Sequence, residues 1–292
     1  MTANPLIEDL TAAGPVLTDG AWGTELQARG LEAGQMPDFW NLSHPERVEE
    51  VARAYVDAGS QVVLTNTFRA NRIALARHPD GMNVADINRA GVAISRRASA
   101  GRARVFASIG PSGKLLFMGE TDPTALRAAF AEQARAQAEA GADAIVVETM
   151  ADLAEAELAL EAAKETGLPV VACMVFDSGK QRDRTMLGVT PVQAATELTR
   201  FGADVIGANC GNGIEDYIPI CASLAASTKL PIWIKPNAGL PELIDGKAVY
   251  TTTPDQFSGN LHKLLEAGAN FIGGCCGTSP EFIAALRTRL AG

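Results

Sequence analysis

The hydrophobic pattern of the chain alternates between two kinds of segment. Short runs of apolar and β-branched residues recur eight times, and a longer segment with apolar residues at helical spacing follows each run. The predicted strands cover residues 16–19, 61–66, 104–109, 143–149, 169–176, 204–209, 231–235 and 270–273. The predicted helices cover residues 45–58, 84–100, 123–140, 152–166, 191–201, 214–227, 254–267 and 280–290. The pattern therefore predicts eight successive strand–helix units.

The joints between these segments indicate how the units are arranged. Several predicted helices begin with proline, which suits a first turn because it has no N–H to leave unpaired there. Continuously apolar strands are typical of a parallel sheet that helices cover. Eight such units without a break in composition predict a single (β/α)8 barrel over residues 1–292. An open doubly wound sheet is the alternative, but residues 19–24, DGAWGT, lack its G-x-G-x-x-G pattern.

Composition and charge restrict the classes of partner. The chain has 25 Lys and Arg against 34 Asp and Glu, a net charge of −9 that does not favour nucleic acid or an anionic membrane. No apolar stretch approaches the roughly 18–20 residues of a membrane span. The amino-terminal segment carries Glu8 and Asp9 where a signal peptide needs an apolar run. We expect a cytoplasmic protein without nucleic-acid or membrane partners, and homo-oligomerisation stays open.

The cysteines carry the strongest indication of chemistry. Their number, five, is odd, so we expect reduced thiols and no disulfide framework. In a (β/α)8 barrel the active site lies at the carboxyl ends of the strands. Cys210 follows the sixth predicted strand, and Cys275 and Cys276 follow the eighth. Three converging thiolates suit Zn2+ with one open position, although cysteines also pack in cores, as we expect for Cys173 and Cys221.

A zinc site of this composition favours one kind of reaction. Zn2+ with three thiolates has a net charge of 2 − 3 = −1, so it activates water poorly but can hold a fourth thiolate. Binding would lower the pKa of a substrate thiol from about 8.5 and keep it nucleophilic near neutral pH. The cysteine pattern therefore indicates alkylation of a thiol.

Six motifs connect the chain with a known family. They are DGAWGTEL at 19–26, LTNTF at 64–68, VVETM at 146–150, GANCG at 207–211, KPNAGLP at 235–241 and GGCCGTSP at 273–280. On these motifs the chain resembles the homocysteine S-methyltransferase family of zinc-dependent barrels, whose members use betaine, S-methylmethionine or methylcobalamin. The motifs are most similar to the homocysteine module of cobalamin-dependent methionine synthase.

The resemblance implies roles for particular residues. Cys210, Cys275 and Cys276 would bind zinc, and the sulfur of L-homocysteine would complete its coordination. Glu148 and Asp19, the predicted catalytic residues, would take the ammonium group. The implied substrate-binding residues are Asp19, Gly20, Ala21, Thr65, Asn66, Thr67, Glu148 and Asn209. From the residues alone, a structural salt bridge for Glu148 and a turn for Asp19 stay open.

The methyl donor is less well defined. Aromatic residues make up 5% of the chain, and Arg69 and Thr149 stand where betaine-using relatives place part of an aromatic cage, so betaine is disfavoured. Four aromatic residues could still line a donor pocket: Trp22, Phe39, Trp40 and Phe68. The cobalamin motif D-x-H-x-x-G is absent, because the segment from His78 to Gly81 is preceded by Ala76. The donor is therefore a sulfonium such as S-methylmethionine, or a methylated corrinoid that arrives free or on a separate protein.

The predicted function is transfer of a methyl group to the thiol of L-homocysteine, giving methionine. Alternatives are another thiol acceptor, a component that works with a corrinoid protein, and a non-catalytic barrel with structural zinc. A zinc hydrolase is disfavoured, since His44, His78 and His262 lack the spacing of metal ligands. Arg182 and Arg184 lie in a loop that is either solvated or in contact with a donor or partner.

Overall fold

Parallel strands form the centre of the molecule. The computed structural model describes residues 4–32, 34–76, 83–244 and 247–292. The strands are β1 (Val16–Leu17), β2 (Val62–Leu64), β3 (Arg104–Ile109), β4 (Ala144–Met150), β5 (Val170–Met174), β6 (Val205–Gly213), β7 (Ile232–Asn237), β8 (Glu242–Ile244), β9 (Lys247–Val249) and β10 (Ala269–Ile272). Eight of them form one parallel sheet in the order β1-β10-β7-β6-β5-β4-β3-β2, and β8 and β9 pair as a separate antiparallel hairpin.

Helices connect successive strands of the sheet. They are α1 (Pro5–Thr11), α2 (Gly23–Ala28), α3 (Trp40–Ser43), α4 (Pro45–Ala58), α5 (Arg72–Leu75), α6 (Val84–Ser99), α7 (Pro123–Glu139), α8 (Leu153–Lys164), α9 (Pro191–Arg200), α10 (Ile214–Ser227), α11 (Pro254–Ser258), α12 (Leu261–Glu266) and α13 (Pro280–Ala291). Two 3-10 turns cover Pro37–Phe39 and Leu116–Met118. Within the described ranges, none of these helices combines the length and apolar character that a bilayer span requires.

The two end strands of the sheet, β1 and β2, approach each other and nearly close a barrel. The Gln61 N–H donates to the Leu17 carbonyl at 2.7 Å, and the Gln61 side-chain oxygen accepts from the Leu17 N–H at 3.0 Å. Closer to the carboxyl ends of the strands, the Leu64 N–H donates to Asp19 Oδ2 at 2.8 Å. Side-chain hydrogen bonds of Gln61 and Asp19 thus replace part of the backbone hydrogen bonding between these two short strands. The predicted (β/α)8 barrel is confirmed.

Large side chains fill the barrel interior. Trp233 lies between Phe106 and Phe271, with ring centroids 6.1 and 5.3 Å away, and all three are fully buried. Burial of each such side chain stabilises the fold by about 1.5–3 kcal/mol. Ile7 of α1 joins this cluster and therefore covers the amino-terminal end of the barrel. The opposite end, where the strands finish, is left for polar residues.

The structure differs from the prediction in several segments. The predicted helix over residues 254–267 is divided into α11 and α12, because the chain turns at Gly259 and Asn260, where the Asn260 side chain donates to the Gln256 carbonyl at 3.2 Å. The β8–β9 hairpin was not predicted, since its short runs show neither helical nor strong strand periodicity. β6 also continues past its predicted end at residue 209 to Gly213.

Gly207 permits the close approach of β6 and β7, and its replacement by alanine is expected to destabilise the barrel. A Cβ there would lie 1.9 Å from the Trp233 carbonyl oxygen, an atom held by the sheet. We expect Gly207→Ala to lower the free energy of unfolding by at least about 1–3 kcal/mol, the usual cost of overpacking, as measured by urea denaturation. Gly23→Ala is the control, because nothing lies within 4 Å of its new Cβ. Equal stability of both variants would contradict this account.

Candidate metal centre

The three predicted metal ligands lie together at the carboxyl-terminal mouth of the barrel. Cys210 belongs to the end of β6, and Cys275 and Cys276 follow β10. All three sulfur atoms lie within 4.8 Å of one another, and the Sγ atoms of Cys210 and Cys276 are 3.9 Å apart. Each cysteine is partly exposed, so a ligand can reach the cluster from solvent.

Local backbone features aim these sulfur atoms inward. Cys210 and Gly211 both have positive φ, 66° and 70°, where the register of β6 against β7 shifts. Positive φ is uncommon for a residue with a side chain and costs free energy that the surrounding contacts must offset. On the other side, the Cys275 N–H donates to the Pro236 carbonyl at 2.8 Å, and the Ala238 N–H donates to the Cys276 carbonyl at 2.9 Å. The cysteine loop is thereby tied to β7.

The donor set fits a tetrahedral metal ion with one position open. For metal–sulfur bonds of about 2.3 Å, a tetrahedron places its sulfur atoms roughly 3.8 Å apart, close to the separation of Cys210 and Cys276. Among the described residues, no histidine, carboxylate or further cysteine joins the cluster as a fourth ligand. An incomplete set of soft ligands is the pattern of a reactive site rather than of a closed structural one.

Hydrogen bonds among the three thiols shift their pKa values in opposite directions. Hydrogen bonds from Cys275 and Cys276 lower the pKa of Cys210 to about 3, whereas the hydrogen bond with Cys210 raises the pKa of Cys276 to about 12. The protein alone therefore favours one thiolate in the cluster. Ionisation of all three requires a cation between them, which a divalent metal provides.

Glu148 lies beside the cysteines on a distorted part of β4. The register of β4 against β5 shifts between Val147 and Met150, and Thr149 has a φ of 60°. The buried Glu148 carboxylate accepts from Ser108 Oγ at 2.5 Å and from Asn209 Nδ2 at 3.0 Å. Burial raises the pKa of Glu148, against the opposing effects of Lys235 and Ser108. A cationic group entering the mouth would favour its charged form.

Asn209 connects this carboxylate with the cysteine cluster. Its Nδ2 also lies 2.7 Å from Thr149 Oγ1 and 3.9 Å from Cys275 Sγ, and its Oδ1 accepts from the Thr149 N–H at 2.8 Å. Because its Oδ1 accepts a hydrogen bond and its Nδ2 donates hydrogen bonds, the orientation of the Asn209 amide is defined. Asn209 therefore holds the bulge that carries Glu148 and also contacts a sulfur ligand.

A buried ion pair lies deeper in the same mouth. Asp19 is fully buried and accepts from Trp22 Nε1 and from the Leu64 N–H, both at 2.8 Å, while Lys235 Nζ forms a salt bridge with its other oxygen. Burial acts to lower the pKa of Lys235, but the charges of Asp19 and Glu148 outweigh it and raise that pKa. Lys235 was not among the predicted site residues, although it is the last residue of the seventh predicted strand. That position was the signal that could have identified it.

The other predicted substrate-binding residues make contacts within the protein. The Ala21 N–H donates to the Thr278 carbonyl at 2.9 Å, and Gly20 packs so closely that a Cβ would lie 2.5 Å from the same oxygen. Asn66 Nδ2 donates to the Pro37 carbonyl at 2.7 Å and to Asn41 Oδ1 at 3.0 Å. These bonds turn the Ala21 N–H and the Asn66 amide toward protein partners, so their direct contact with substrate stays a prediction.

Thr65 and Thr67 have a similar structural part. Their hydroxyl oxygens are 2.6 Å apart, and the Thr67 hydroxyl donates to the Ser108 carbonyl at 2.8 Å while the Thr65 hydroxyl accepts from the Ser108 N–H at 3.0 Å. Both residues therefore connect the ends of β2 and β3 and position Ser108, the hydrogen-bond partner of Glu148. Their implied part in substrate binding stays a prediction.

The residues considered for the donor side are dispersed. Trp22 is bonded to Asp19, and the Trp40 ring packs against His44 at 4.6 Å, so both have structural partners. Phe68 and Arg69 line a cleft at the mouth. His78, part of the incomplete cobalamin motif, lies outside the described residues.

Exposed apolar side chains surround the mouth. In the part of the chain that the structure describes, the large apolar residues that are exposed all lie between a strand's carboxyl end and the first turn of the next major helix. They are Leu42, Phe117, Met118, Met186, Leu187, Val192, Leu240 and Val249. An apolar surface confined to one face is typical of an interaction site. We call these residues the apolar rim.

Fold and site together define a class of protein: a (β/α)8 barrel with three clustered cysteines at the carboxyl ends of its strands that could hold a metal ion. Comparison with known proteins gives the family. The profile of the homocysteine S-methyltransferase family matches residues 16–290, and the chain belongs to this family of enzymes. The resemblance inferred from the six motifs is thus confirmed.

Individual relatives share the fold and most of the chain. Methionine synthase of Mycobacterium tuberculosis is 32% identical over 304 residues, which cover 97% of this chain but 25% of the relative. Betaine–homocysteine S-methyltransferase 1 of Danio rerio is 27% identical over 315 residues, which cover 98% of this chain and 75% of that relative. The metallated crystal structure of the homocysteine methyltransferase MmuM from Escherichia coli superposes with a TM-score of 0.81 at 26% identity, covering 98% of this chain and 100% of that one. The chain thus spans about a quarter of the methionine synthases it matches.

Proposed function

We propose that the protein is a zinc-dependent methyltransferase that moves a methyl group from a small donor to the thiol of L-homocysteine, giving methionine. One observation carries this proposal: three cysteine sulfurs lie within 4.8 Å of one another, with no fourth protein ligand among the described residues. Thiolate ligands favour Zn2+, and the existence of a metallated form of the similar Escherichia coli enzyme supports a metal in this chain too. We further propose that the barrel is one homocysteine-binding domain.

Cys210, Cys275 and Cys276 would hold the zinc ion. When bound, Zn2+ would supply a Lewis-acid position that keeps a substrate thiol ionised near neutral pH. The cysteine loop, tied to β7 through Pro236 and Ala238, keeps the three sulfurs on one side and leaves the mouth side open. The acceptor therefore enters with its sulfur toward the cysteines.

Charges in the mouth define where the amino group of the acceptor binds. Asp19 and Glu148 are two buried carboxylates, and Lys235, the buried cation beside them in the described part of the chain, forms its salt bridge with Asp19. The ammonium of homocysteine would supply the second cation, and Glu148 is the carboxylate left to receive it. Asp19 then acts through Lys235 instead of contacting the substrate, which refines the role the resemblance implies. Asn209 and Ser108 orient Glu148.

The transfer itself needs little more than positioning. The thiolate sulfur attacks the methyl carbon in line with the bond to its leaving group, and the electron pair of that bond stays on the donor. No residue forms a covalent intermediate, and the barrel contributes by holding both reactants in the attack geometry.

The test is methionine formation by zinc-loaded protein from L-homocysteine with S-methylmethionine, S-adenosylmethionine, betaine, dimethylsulfoniopropionate and methylcobalamin in separate reactions. Turnover with one donor would establish the reaction and the donor together. X-ray absorption at the zinc edge adds a readout independent of the donor, because homocysteine should add a sulfur neighbour to the metal. Absence of both turnover and this spectral change would refute the proposal.

Glu148→Gln is expected to weaken acceptor binding. The amide keeps the shape of the side chain but loses its charge, and a hydrogen bond to a charged group contributes about 1.5–3 kcal/mol. We expect the KM for homocysteine to rise about 10- to 100-fold, measured in steady-state assays with the donor saturating. Glu161→Gln, on the exposed face of α8, should leave this KM unchanged. A loss confined to the KM of the donor would count against the assignment.

A second candidate function places the methyl group on a separate corrinoid protein. The apolar rim favours it, since a small donor requires no exposed apolar surface around the mouth. The matched methionine synthases also have about three quarters of their length outside the shared region. Turnover with methylcobalamin and with none of the sulfonium or betaine donors would support this alternative.

A further inference from the structure

Each sulfur of the metal centre has a hydrogen-bond partner other than its neighbouring sulfurs. The Asn209 side-chain nitrogen lies 3.9 Å from Cys275 Sγ. The Cys210 sulfur accepts from the Gly211 N–H and from the side chain of Asn237. These donors belong to the carboxyl ends of β6 and β7. Two of the three sulfurs are therefore hydrogen-bonded by the strands that form the mouth.

The third sulfur, that of Cys276, is hydrogen-bonded to the hydroxyl of Tyr250. Tyr250 is half-buried and follows β9, so this partner comes from outside the parallel sheet. Its ring lies against the backbone of Gly277, where a Cβ would collide with the ring atoms. Two residues further on, Thr252 lies so close to Gly239 that a Cβ there would be 2.7 Å from the Thr252 hydroxyl. These two contacts fix Tyr250 over the cysteine loop.

A methyl donor that enters the mouth meets more than one sulfur. Around a bound Zn2+ the three cysteines and the acceptor would all be thiolates, and each cysteine is partly exposed. Methylation of a cysteine removes the charge that makes its sulfur a metal ligand. A hydrogen bond stabilises the charged thiolate more than the uncharged sulfur that methylation leaves, so it slows the attack of that sulfur on carbon. A thiolate with a hydrogen-bond donor is therefore the poorer nucleophile.

We propose that Tyr250 protects Cys276 from methylation by donating a hydrogen bond to its thiolate, and so directs the methyl group to the acceptor. This inference rests on the proposed function, because it concerns a metal-bound thiolate. A sulfur bound to a metal has no proton to give, so the tyrosine hydroxyl is the donor in this pair. Tyr250 acts on the reaction only through Cys276, and it is a positioning residue that determines specificity.

Alkylation in the absence of homocysteine tests this protection. Zinc-loaded protein is treated with iodomethane, and peptide mass spectrometry follows the methyl group gained by each cysteine. The Cys276 sulfur forms a bond to the methyl carbon while the carbon–iodine bond breaks, and iodide leaves with the electron pair. For Tyr250→Phe we expect the initial rate at Cys276 to rise about 3- to 10-fold, with unchanged rates at Cys210 and Cys275. Release of Zn2+ to a colorimetric chelator should accelerate in parallel.

Tyr55→Phe is the matched control. The Tyr55 hydroxyl also bonds to the cysteine loop, but its partners are backbone oxygens, those of Thr278 at 2.9 Å and Ala21 at 2.7 Å. We expect this variant to keep the wild-type rate at Cys276. An equal rise in both variants would assign the effect to packing of the loop and overturn the inference. An unchanged rate at Cys276 in Tyr250→Phe would overturn it as well.

Cobalt substitution gives a readout that requires no alkylation. Bound Co2+ absorbs light by charge transfer from its sulfur ligands, and loss of a hydrogen bond raises the energy of the sulfur electrons. Tyr250→Phe should therefore shift this absorption to longer wavelength, whereas Tyr55→Phe should not. An identical spectrum in Tyr250→Phe would refute the role of Tyr250 and leave the metal centre intact. Failure of the wild-type protein to bind Zn2+ or Co2+ would instead refute the proposed function together with this inference.

Discussion

Replacing Cys275 with alanine is expected to abolish metal binding and methyl transfer while the barrel stays folded. Cys275 is one of three sulfur atoms within 4.8 Å, and two remaining thiolates form an incomplete site for Zn2+. The barrel itself is held by its interior cluster around Trp233 and by the helices that cover the sheet, none of which depends on this sulfur. Metal content by mass spectrometry, methionine formation and circular dichroism measure the three properties separately.

Cys221→Ala is the matched control for this experiment. Cys221 is buried in α10, where its sulfur lies 3.5 Å from the Ala267 carbonyl oxygen, and it does not belong to the cluster of Cys210, Cys275 and Cys276. We expect this variant to keep its zinc and its turnover. If Cys275→Ala unfolds instead, the metal is a structural element, and the non-catalytic barrel becomes the better interpretation. Retained zinc and turnover in Cys275→Ala would remove the basis of the proposed site.

The second large effect is expected at the buried ion pair. Lys235→Met should lower the free energy of unfolding by about 3–5 kcal/mol, because it leaves the Asp19 carboxylate charged, buried and without its cation. Trp22 and the Leu64 N–H still donate to Asp19, but neither carries a charge. Urea denaturation followed by tryptophan fluorescence measures the change.

Two further variants separate loss of the pair from loss of packing. The double variant Asp19→Asn with Lys235→Met should recover part of the stability, because it removes the uncompensated charge. Arg289→Ala breaks the exposed pair with Asp255 and should cost less than about 1 kcal/mol. If Lys235→Met costs no more than Arg289→Ala, the ion pair does not stabilise the barrel mouth as we infer.

Much of the fold could be predicted because its determinants are local. Pro45, followed by apolar residues at helical spacing, begins α4, and Gly59, with a φ of 114°, caps its carboxyl end after Ala58. Helix α9 begins after Thr190. The Thr190 side chain accepts a hydrogen bond from the Gln193 N–H, and the Gln193 side chain accepts one from the Thr190 N–H. This capping box lies within four residues, so the sequence shows it directly. The uniform alternation of such segments then limits the topology, since consecutive parallel strands with crossover helices have few arrangements.

The cysteine site was also predictable, for a different reason. Cys210 and the Cys275–Cys276 pair each follow an apolar strand, and a barrel brings all strand ends to one mouth. Knowledge of the fold therefore sufficed to place residues 65 positions apart beside each other. The distortions that aim these sulfurs, with positive φ at Cys210, have no counterpart in the apolar pattern.

By itself the sequence determined the order of strands and helices, the barrel they form and the three cysteines at its mouth, because local periodicity and strand ends encode these features. Only the tertiary structure decided the partners of the buried charges. Asp19 and Lys235 are separated by 216 positions, and their pairing depends on strand register and side-chain direction inside the barrel. The same holds for Tyr250, whose hydroxyl reaches Cys276 from a segment outside the parallel sheet. Such contacts are set by packing of the whole chain, which no window of sequence contains.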